Sequence, residues 1–306
     1  MITAIFNKSK PINLVITTLL VVLGFTIANF KIPQNFSWNH FLLNIGVVLL
    51  AVFSTLLVDF IVKKNAISEQ NSYVVLFYSI FFFCFWSQQE NYYLLVSNVF
   101  VLLALRKIIS LKTQTNTTKK IFDAALWICV ASLFHYWAIL FFIVLYLGIT
   151  LYSSDYYKNW LVPIISVFVV FIIAYALQLI TSRQWFSFEK IIIERGFHEF
   201  NSPINIATIS FFSALLIIAV TFLSPSVKQK LQKNKLSYVV LLFALLIAVI
   251  ILLLAPHKNN EMLVYVYFPL AALFTVVYEQ ISKKWLQTSL LYVIFLASIT
   301  LCFLSS

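Results

Sequence analysis

The chain is poor in charge, glycine and proline. Charged residues make up 10% of its 306 residues, and it has four glycines and seven prolines. An average soluble domain carries about 25% charged residues, so this chain could not cover itself with a polar surface. So few glycines and prolines also argue against a loop-rich fold. These scarcities exclude a soluble globular protein, a secreted module and a disordered chain.

Cysteine is scarce too, and its spacing does not suit chemistry. The three cysteines, Cys84, Cys129 and Cys302, lie far apart in apolar runs and form no CxxC pair. A disulfide framework or a thiolate metal site is therefore not expected. The sequence has no GxxxxGK[ST], GxGxxG, HExxH or GxSxG stretch, so we predict no nucleotide, metal or other cofactor site.

Long apolar runs are what the chain does have. Hydrophobic residues make up 62% of it, and its mean hydropathy is +0.97. A helix of about 20 residues crosses a bilayer core of roughly 30 Å. Runs of this length predict an all-α, polytopic membrane helix bundle, with residues 1–306 as a single transmembrane domain. Seven plain spans are predicted at 12–30, 41–62, 162–180, 205–223, 237–255, 262–281 and 286–304.

Two further stretches are too long for one straight crossing. Residues 72–105 are interrupted by a polar run at 87–91, and residues 121–152 have His135 near their middle. A straight helix of either length would measure roughly 50 Å. We therefore predict that each folds into a short-armed helical hairpin, which gives about eleven crossings. Two thin membrane spans and one re-entrant hairpin both return the chain to the side from which it entered. The charge distribution therefore does not separate the two arrangements, and both stay open.

The positive charges predict the orientation. The net charge is +11, and basic residues collect in the cytoplasmic loops of membrane proteins. With both stretches doubled back and the N-terminus inside, most lysines and arginines lie inside and the C-terminus lies outside. A single crossing at 121–152 would turn the lysine cluster at 228–235 outward, so the hairpin arrangement is favoured. The basic residues therefore indicate the cytoplasmic loops of a membrane protein, and no nucleic-acid partner is expected. The first span is predicted to be a retained helix and not a cleaved signal peptide.

Polar and ionisable groups then gather at the predicted outer side. Residues 181–205 are predicted to form an outer amphipathic loop that combines charged residues with an apolar set of phenylalanines and isoleucines, as expected for a helix lying in the interface. A solvated connector would also show this pattern. Carboxylates and imidazoles suit proton transfer, whereas basic side chains suit phosphate binding. The predicted catalytic residues are Glu90, His135, Glu194 and Glu199, and the predicted substrate-binding residues are Arg183, Arg195, His198, Lys258 and Glu261.

Two segments carry a resemblance to known proteins. Residues 99–111, VFVLLALRKIISL, precede a basic loop and then residues 122–146, FDAALWICVASLFHYWAILFFIVLY. The pair resembles the Arg-ended helix, short inner loop and AxLFHxxxxL helix of bacterial exopolysaccharide and O-antigen polymerases. It is also similar to multi-pass glycosyltransferases that use polyprenyl-phosphate sugars. The resemblance implies glycosyl transfer at the outer face of the inner membrane, with His135 carried over. The acidic residue that the lipid-sugar enzymes keep in their first outer loop is missing from KIPQNFSWNH. The whole chain also resembles an uncharacterised multi-pass inner-membrane family of Bacteroidota, which implies no activity.

Three functions follow as hypotheses. The first is a glycosyltransferase or glycan polymerase of the bacterial inner membrane that uses an undecaprenyl-linked substrate. The second is a lipid or small-molecule transporter built on paired short helices. The third is a non-catalytic subunit of a cell-envelope complex. The expected partners are membrane lipid, a polyprenyl-linked glycan and, for the third hypothesis, the other subunits of the complex.

Overall fold

A computed structural model describes residues 5–29, 38–68, 71–84, 92–153, 156–181, 202–221, 235–256 and 260–305. Within these ranges the protein consists of eleven α-helices with short 3-10 segments, and it contains no strand. The predicted all-α fold class is therefore confirmed. Each plain span, and each arm of the two long stretches, contains one helix.

The helices begin and end close to the predicted positions. Pro11 and Pro203 are the first residues of their helices, where a missing N–H costs nothing because it has no partner within the helix. In chain order the helices are α1 Pro11–Asn29, α2 Trp38–Asn65, α3 Tyr73–Phe81, α4 Tyr93–Ile109, α5 Thr117–Phe134, α6 Phe141–Tyr152, α7 Tyr157–Thr181, α8 Pro203–Thr221, α9 Lys235–Leu254, α10 Val264–Glu279 and α11 Lys284–Ser305.

Seven helical segments are long and apolar enough to cross a membrane. They contain helices α2, α4, α7, α8, α9, α10 and α11, and three shorter apolar segments contain α1, α3 and α6. Helix α5 has the length, but its first seven residues include Lys119, Lys120 and Asp123. The chain is thus a membrane-embedded helical protein.

The described residues divide into two compact units. The first comprises residues 1–95, 197–235 and 258–306, and the second comprises residues 96–196 and 236–257. The two arms of the stretch 72–105 fall into different units, because α3 lies in the first and nearly all of α4 in the second. The stretch 121–152 lies wholly in the second unit, and its two arms pack on each other.

Helix α10 forms the core of the first unit. It packs against α3 and α8, while α1 packs against α2, α3 and α11. Aromatic side chains fill the contacts around α10: the ring of Tyr267 stacks on Phe212 at 5.3 Å, and Phe274 meets Phe77 edge-on at 5.0 Å. Such geometries favour aromatic pairs beyond the area that they bury.

Helices α5 and α7 pack against each other in the second unit. Polar contacts join them, since Ser166 Oγ donates to the Phe122 carbonyl at 3.1 Å and Thr118 Oγ1 donates to Asn159 Oδ1 at 3.0 Å. Gly148 lets α6 approach the end of α4, because a Cβ there would lie 2.7 Å from Ile108 Cγ2. Small residues at such contacts allow helices to pack closely in a membrane.

Candidate functional site

The structure describes two of the nine predicted site residues. His135 lies in the second unit and Glu261 in the first. The other seven predicted site residues lie outside the described residues: Glu90, Arg183, Glu194, Arg195, His198, Glu199 and Lys258.

His135 forms the tip of the hairpin between α5 and α6. Its backbone is extended, with φ −140° and ψ 107°, and this conformation ends α5 at Phe134. The His135 N–H donates to the Ala131 carbonyl at 3.0 Å, and its own carbonyl accepts from the Ala138 N–H at 3.0 Å. The tip is therefore a fixed turn in which the imidazole has a defined position.

The imidazole of His135 is partly buried and uncharged. Burial lowers the pKa of His135 to about 4, because the charged ring loses hydration there. At neutral pH the ring is one hydrogen-bond donor and one acceptor. It can orient a hydroxyl group, but it does not supply a positive charge for a phosphate.

Two further hydrogen-bond donors lie at this end of the second unit. Ser97 Oγ of α4 donates to the Ala131 carbonyl at 2.9 Å, so α4 packs against the last turn of α5, and Asn98 is the next residue of α4. Asn98 Nδ2 and Trp137 Nε1 are buried and meet no acceptor among the described residues. Because a buried donor without an acceptor is costly, this cluster of His135, Asn98 and Trp137 is suited to a ligand rich in oxygen acceptors. We call it the hairpin-tip cluster.

Glu261 is buried in the first unit, at the start of the 3-10 segment Asn260–Leu263. The side chain is 1% exposed. Its neighbour Asn260 donates a hydrogen bond to Asn205 Oδ1, and the Asn205 N–H donates to Ser202 Oγ at 3.2 Å. A buried carboxylate in a membrane protein is a candidate functional position.

A polar cavity of about 910 Å³ lies elsewhere in the first unit, at the end of α2 that is predicted to face the cytoplasm. We call it the lysine cavity. It is lined by Asn7, Lys8, Ser9, Lys10, Val62, Lys63, Ala66, Ser68 and Asn71. At the opposite end of α2, an apolar groove of about 290 Å³ opens between α1 and α2, and Phe25, Phe41 and Ile45 contribute to its walls.

The basic groups between α4 and α5, in the second unit, are engaged within the protein. Lys107 pairs with Asp123 at 2.6 Å, and Lys120 Nζ donates to the Ser110 carbonyl at 2.8 Å. Burial and the nearby charge of Lys107 lower the pKa of Lys120. Gln114 and Asn116 adopt left-handed conformations that close this loop tightly. These lysines therefore fix the loop.

A known protein family matches the chain over nearly its whole length. Residues 3–305 match the model of a family of unknown function, DUF6427. The chain belongs to this family. No curated protein matches the chain. No solved structure matches it.

The DUF6427 match covers both units and all nine predicted site residues. The hairpin-tip cluster and the lysine cavity are therefore both parts of the DUF6427 chain. Among the residues that the structure describes, no group of three His, Cys, Asp or Glu side chains could hold a metal ion.

Sequence reasoning did not single out the lysine cavity. It treated Lys8, Lys10 and Lys63 as ordinary cytoplasmic-side charges, as the positive-inside rule suggests. A signal was present, because serine and asparagine accompany two lysines in the segment 7–10 and recur, without lysine, in the segment 68–72. Only the fold brings the two segments together.

Proposed function

We propose that this membrane protein is a glycosyltransferase or glycan polymerase of the bacterial inner membrane. Its substrate would be a glycan linked to undecaprenyl diphosphate. The chain would cross the membrane about eleven times, with the N-terminus inside, and the reaction would take place at the outer face. The observation that carries the proposal is the hairpin-tip cluster, in which a neutral imidazole lies with two buried N–H donors that meet no acceptor among the described residues.

The cluster supports sugar binding because sugars present many oxygen acceptors. Asn98 Nδ2 and Trp137 Nε1 each offer an N–H group, and an indole N–H donates only. The imidazole of His135 can accept a hydrogen bond from a sugar hydroxyl or donate one to a sugar oxygen. Either hydrogen bond would position the sugar. Aromatic rings at this end, among them Phe134 stacked on Phe100 at 5.7 Å, add apolar surface.

The proposed reaction needs no cofactor. The acceptor hydroxyl oxygen attacks the anomeric carbon of the donor sugar, and the bond from that carbon to the diphosphate oxygen breaks. Diphosphate leaves with the bonding electron pair, and a carboxylate such as that of Glu194 takes the hydroxyl proton. Arg183 and Arg195 would stabilise the negative charge on the leaving group.

The test replaces two residues of the hairpin-tip cluster, His135 and Asn98, one at a time in the native host. His135→Ala and Asn98→Ala should reduce glycan assembly about three- to tenfold, if each removes a hydrogen bond to the bound substrate, and the undecaprenyl-linked precursor should accumulate. Tyr136→Ala is the matched control, because Tyr136 is exposed beside the same turn. Protein levels are measured in every strain.

Normal glycan in all of the variants would overturn the enzyme proposal. Transport of a lipid or solute by the purified protein in liposomes, without any covalent change, would favour a transporter instead. Loss of copurifying envelope proteins with no precursor accumulation would favour a subunit of a complex.

A further inference from the structure

The walls of the lysine cavity are held in place by specific contacts. The Ser72 N–H donates to the Phe6 carbonyl at 3.0 Å, and the Phe6 ring is buried. Asn13 Nδ2 reaches the Ile5 carbonyl at 3.1 Å, the Lys8 carbonyl at 2.7 Å and Ser72 Oγ at 3.3 Å. The segment that carries Lys8 and Lys10 is therefore held against Ser72, and the cavity is part of the folded structure.

The cavity carries positive charge that the described residues do not neutralise. Lys63 forms an ion pair with Asp59 at 2.7 Å. Lys8 and Lys10 have no carboxylate within ion-pair distance in the part of the chain that the structure describes. Glu69, which follows Ser68 in the sequence, lies outside that part. A lysine ammonium offers three donors and binds phosphate as a point charge.

A neutral donor also lines the cavity. Ser68 Oγ is buried and has no hydrogen-bond partner among the described side chains and backbone groups. Asn71, the next described residue, is already engaged, because its Nδ2 donates to Glu279 Oε1 at 2.7 Å. The cavity thus combines two ammonium groups, for which the described residues supply no carboxylate, with a hydroxyl that makes no hydrogen bond to a described residue, and one wall, Val62, is apolar.

We propose that the lysine cavity binds a phosphate group. The lysines Lys8 and Lys10 would contact the phosphate oxygens, and Ser68 would donate one hydrogen bond. The volume of about 910 Å³ is large enough for a phosphorylated headgroup. The phosphate could belong to a membrane lipid or to a soluble compound. This site is separate from the residues of the proposed glycosyl transfer and does not depend on that function.

The experiment measures binding to the purified full-length chain in a neutral detergent. The probes are dioctanoyl phosphatidic acid, inorganic phosphate and, as a ligand without a free phosphate group, dioctanoyl phosphatidylcholine. Affinities are measured by thermophoresis for the parent protein, for the double variant Lys8→Gln/Lys10→Gln and for Lys283→Gln/Lys284→Gln. The last pair removes the same charge at the same predicted face, from exposed lysines that do not line the cavity.

We expect phosphatidic acid to bind and phosphatidylcholine to bind at least about tenfold more weakly. The change at Lys8 and Lys10 should lower the affinity about tenfold, since two charge-assisted contacts are lost, and the change at Lys283 and Lys284 should leave it unaltered. Binding of the lipid alone assigns the phosphate to the membrane, whereas binding of inorganic phosphate as well assigns the site to soluble phosphate compounds too. Failure of both to bind, or equal weakening by both double variants, would overturn the proposal.

Ser68→Ala is the second variant, which keeps every charge. It removes a hydroxyl that makes no hydrogen bond to a described residue, so the thermal stability of the ligand-free protein should not fall. The affinity for phosphatidic acid should fall about threefold, the effect of one neutral hydrogen bond. If the double lysine variant fails to fold, this result decides: an unchanged affinity overturns the proposed site.

Discussion

Helices α10 and α7 are both apolar and both contain a proline, yet they have opposite surroundings. The segment Asn260–Glu279 has a mean hydropathy of 1.6 and is buried completely, whereas Tyr157–Thr181 has a mean hydropathy of 2.6 and is 28% buried. In water, the more apolar helix would be expected inside. In lipid, apolar side chains gain nothing by leaving the hydrocarbon, so packing and polar contacts decide which helix is central.

The side chains of the two helices agree with this explanation. The α10 segment buries polar groups that hydrocarbon would not hydrate, namely Glu261, Tyr265, Tyr267, Thr275 and Tyr278. Helix α7 presents Phe168, Phe171 and Ile172 on its exposed surface. The lower hydropathy of the α10 segment therefore reflects the groups that need the protein interior.

The strongest test asks whether α7 crosses the membrane at all, and in which direction. With single cysteines at its two ends, Tyr157→Cys should be protected from a membrane-impermeant thiol reagent in intact cells and Thr181→Cys should be labelled. Both positions are exposed, and the three native cysteines are buried. Labelling of residue 157 from outside would reverse the predicted orientation, and equal labelling of the two ends would remove α7 from the membrane.

The next largest effect is expected at the centre of the α10 contacts. Tyr267 is 0% exposed and packs on Phe212. Tyr267→Ala should cost about 3 kcal/mol of stability because it leaves a cavity. Phe168→Ala on α7, at a side chain that is 62% exposed, should change little. Unfolding is followed in detergent as a function of temperature.

Tyr267→Phe is the matched control for that cavity. The Tyr267 hydroxyl has no hydrogen-bond partner among the described residues, so its removal should not destabilise the protein. Equal losses of stability for Tyr267→Ala and Phe168→Ala would contradict the proposed difference between the buried helix α10 and the exposed helix α7.

A smaller effect is expected at the end of α10. Asn71→Ala removes a hydrogen bond of 2.7 Å to Glu279 Oε1 and should cost about 2 kcal/mol. Gln178→Ala on α7 removes an amide for which the structure gives no hydrogen bond to a described residue, so it should be nearly neutral. A destabilising Gln178→Ala would show that α7 is packed against another surface.

The smallest expected effect extends the same contrast to a single methyl group. Gly148→Ala would place Cβ 2.7 Å from Ile108 Cγ2, and the forced shift should cost about 1 kcal/mol. At Gly46 on α2 a Cβ meets nothing within 4 Å, so Gly46→Ala should be neutral or stabilising by up to about 1 kcal/mol. Opposite signs for the two changes in the unfolding temperature would support the assignment of buried and exposed helix surfaces.

The helices could be predicted from the sequence because a membrane helix is marked by a long apolar run, which is a local pattern. The turn at His135 was expected from the length of the run 121–152 and from the distribution of positive charge, which disfavoured a single crossing. The packing partners were not local: nothing in the run 72–105 indicated that its two arms belong to different units. The single transmembrane domain, the crossing number and the orientation stay predictions.

The candidate site was less accessible to sequence reasoning. Trp137 follows His135 by two residues, whereas Asn98 reaches this end of the unit because α4 packs beside the end of α5, where Ser97 contacts Ala131. The lysine cavity joins residues about 60 positions apart, Lys8 and Ser68, through the hydrogen bonds of Asn13. Composition cannot report such contacts between distant segments.

The position of α10 in the chain has a consequence for biosynthesis. The first unit is assembled from three separate stretches, and its central helix belongs to the last of them. During translation, α3 and α8 enter the membrane before the helix that fills the space between them has been made. Until then their aromatic surfaces must be shielded by lipid or by the insertion machinery, and a ribosome that stalls before residue 260 leaves a product without its core.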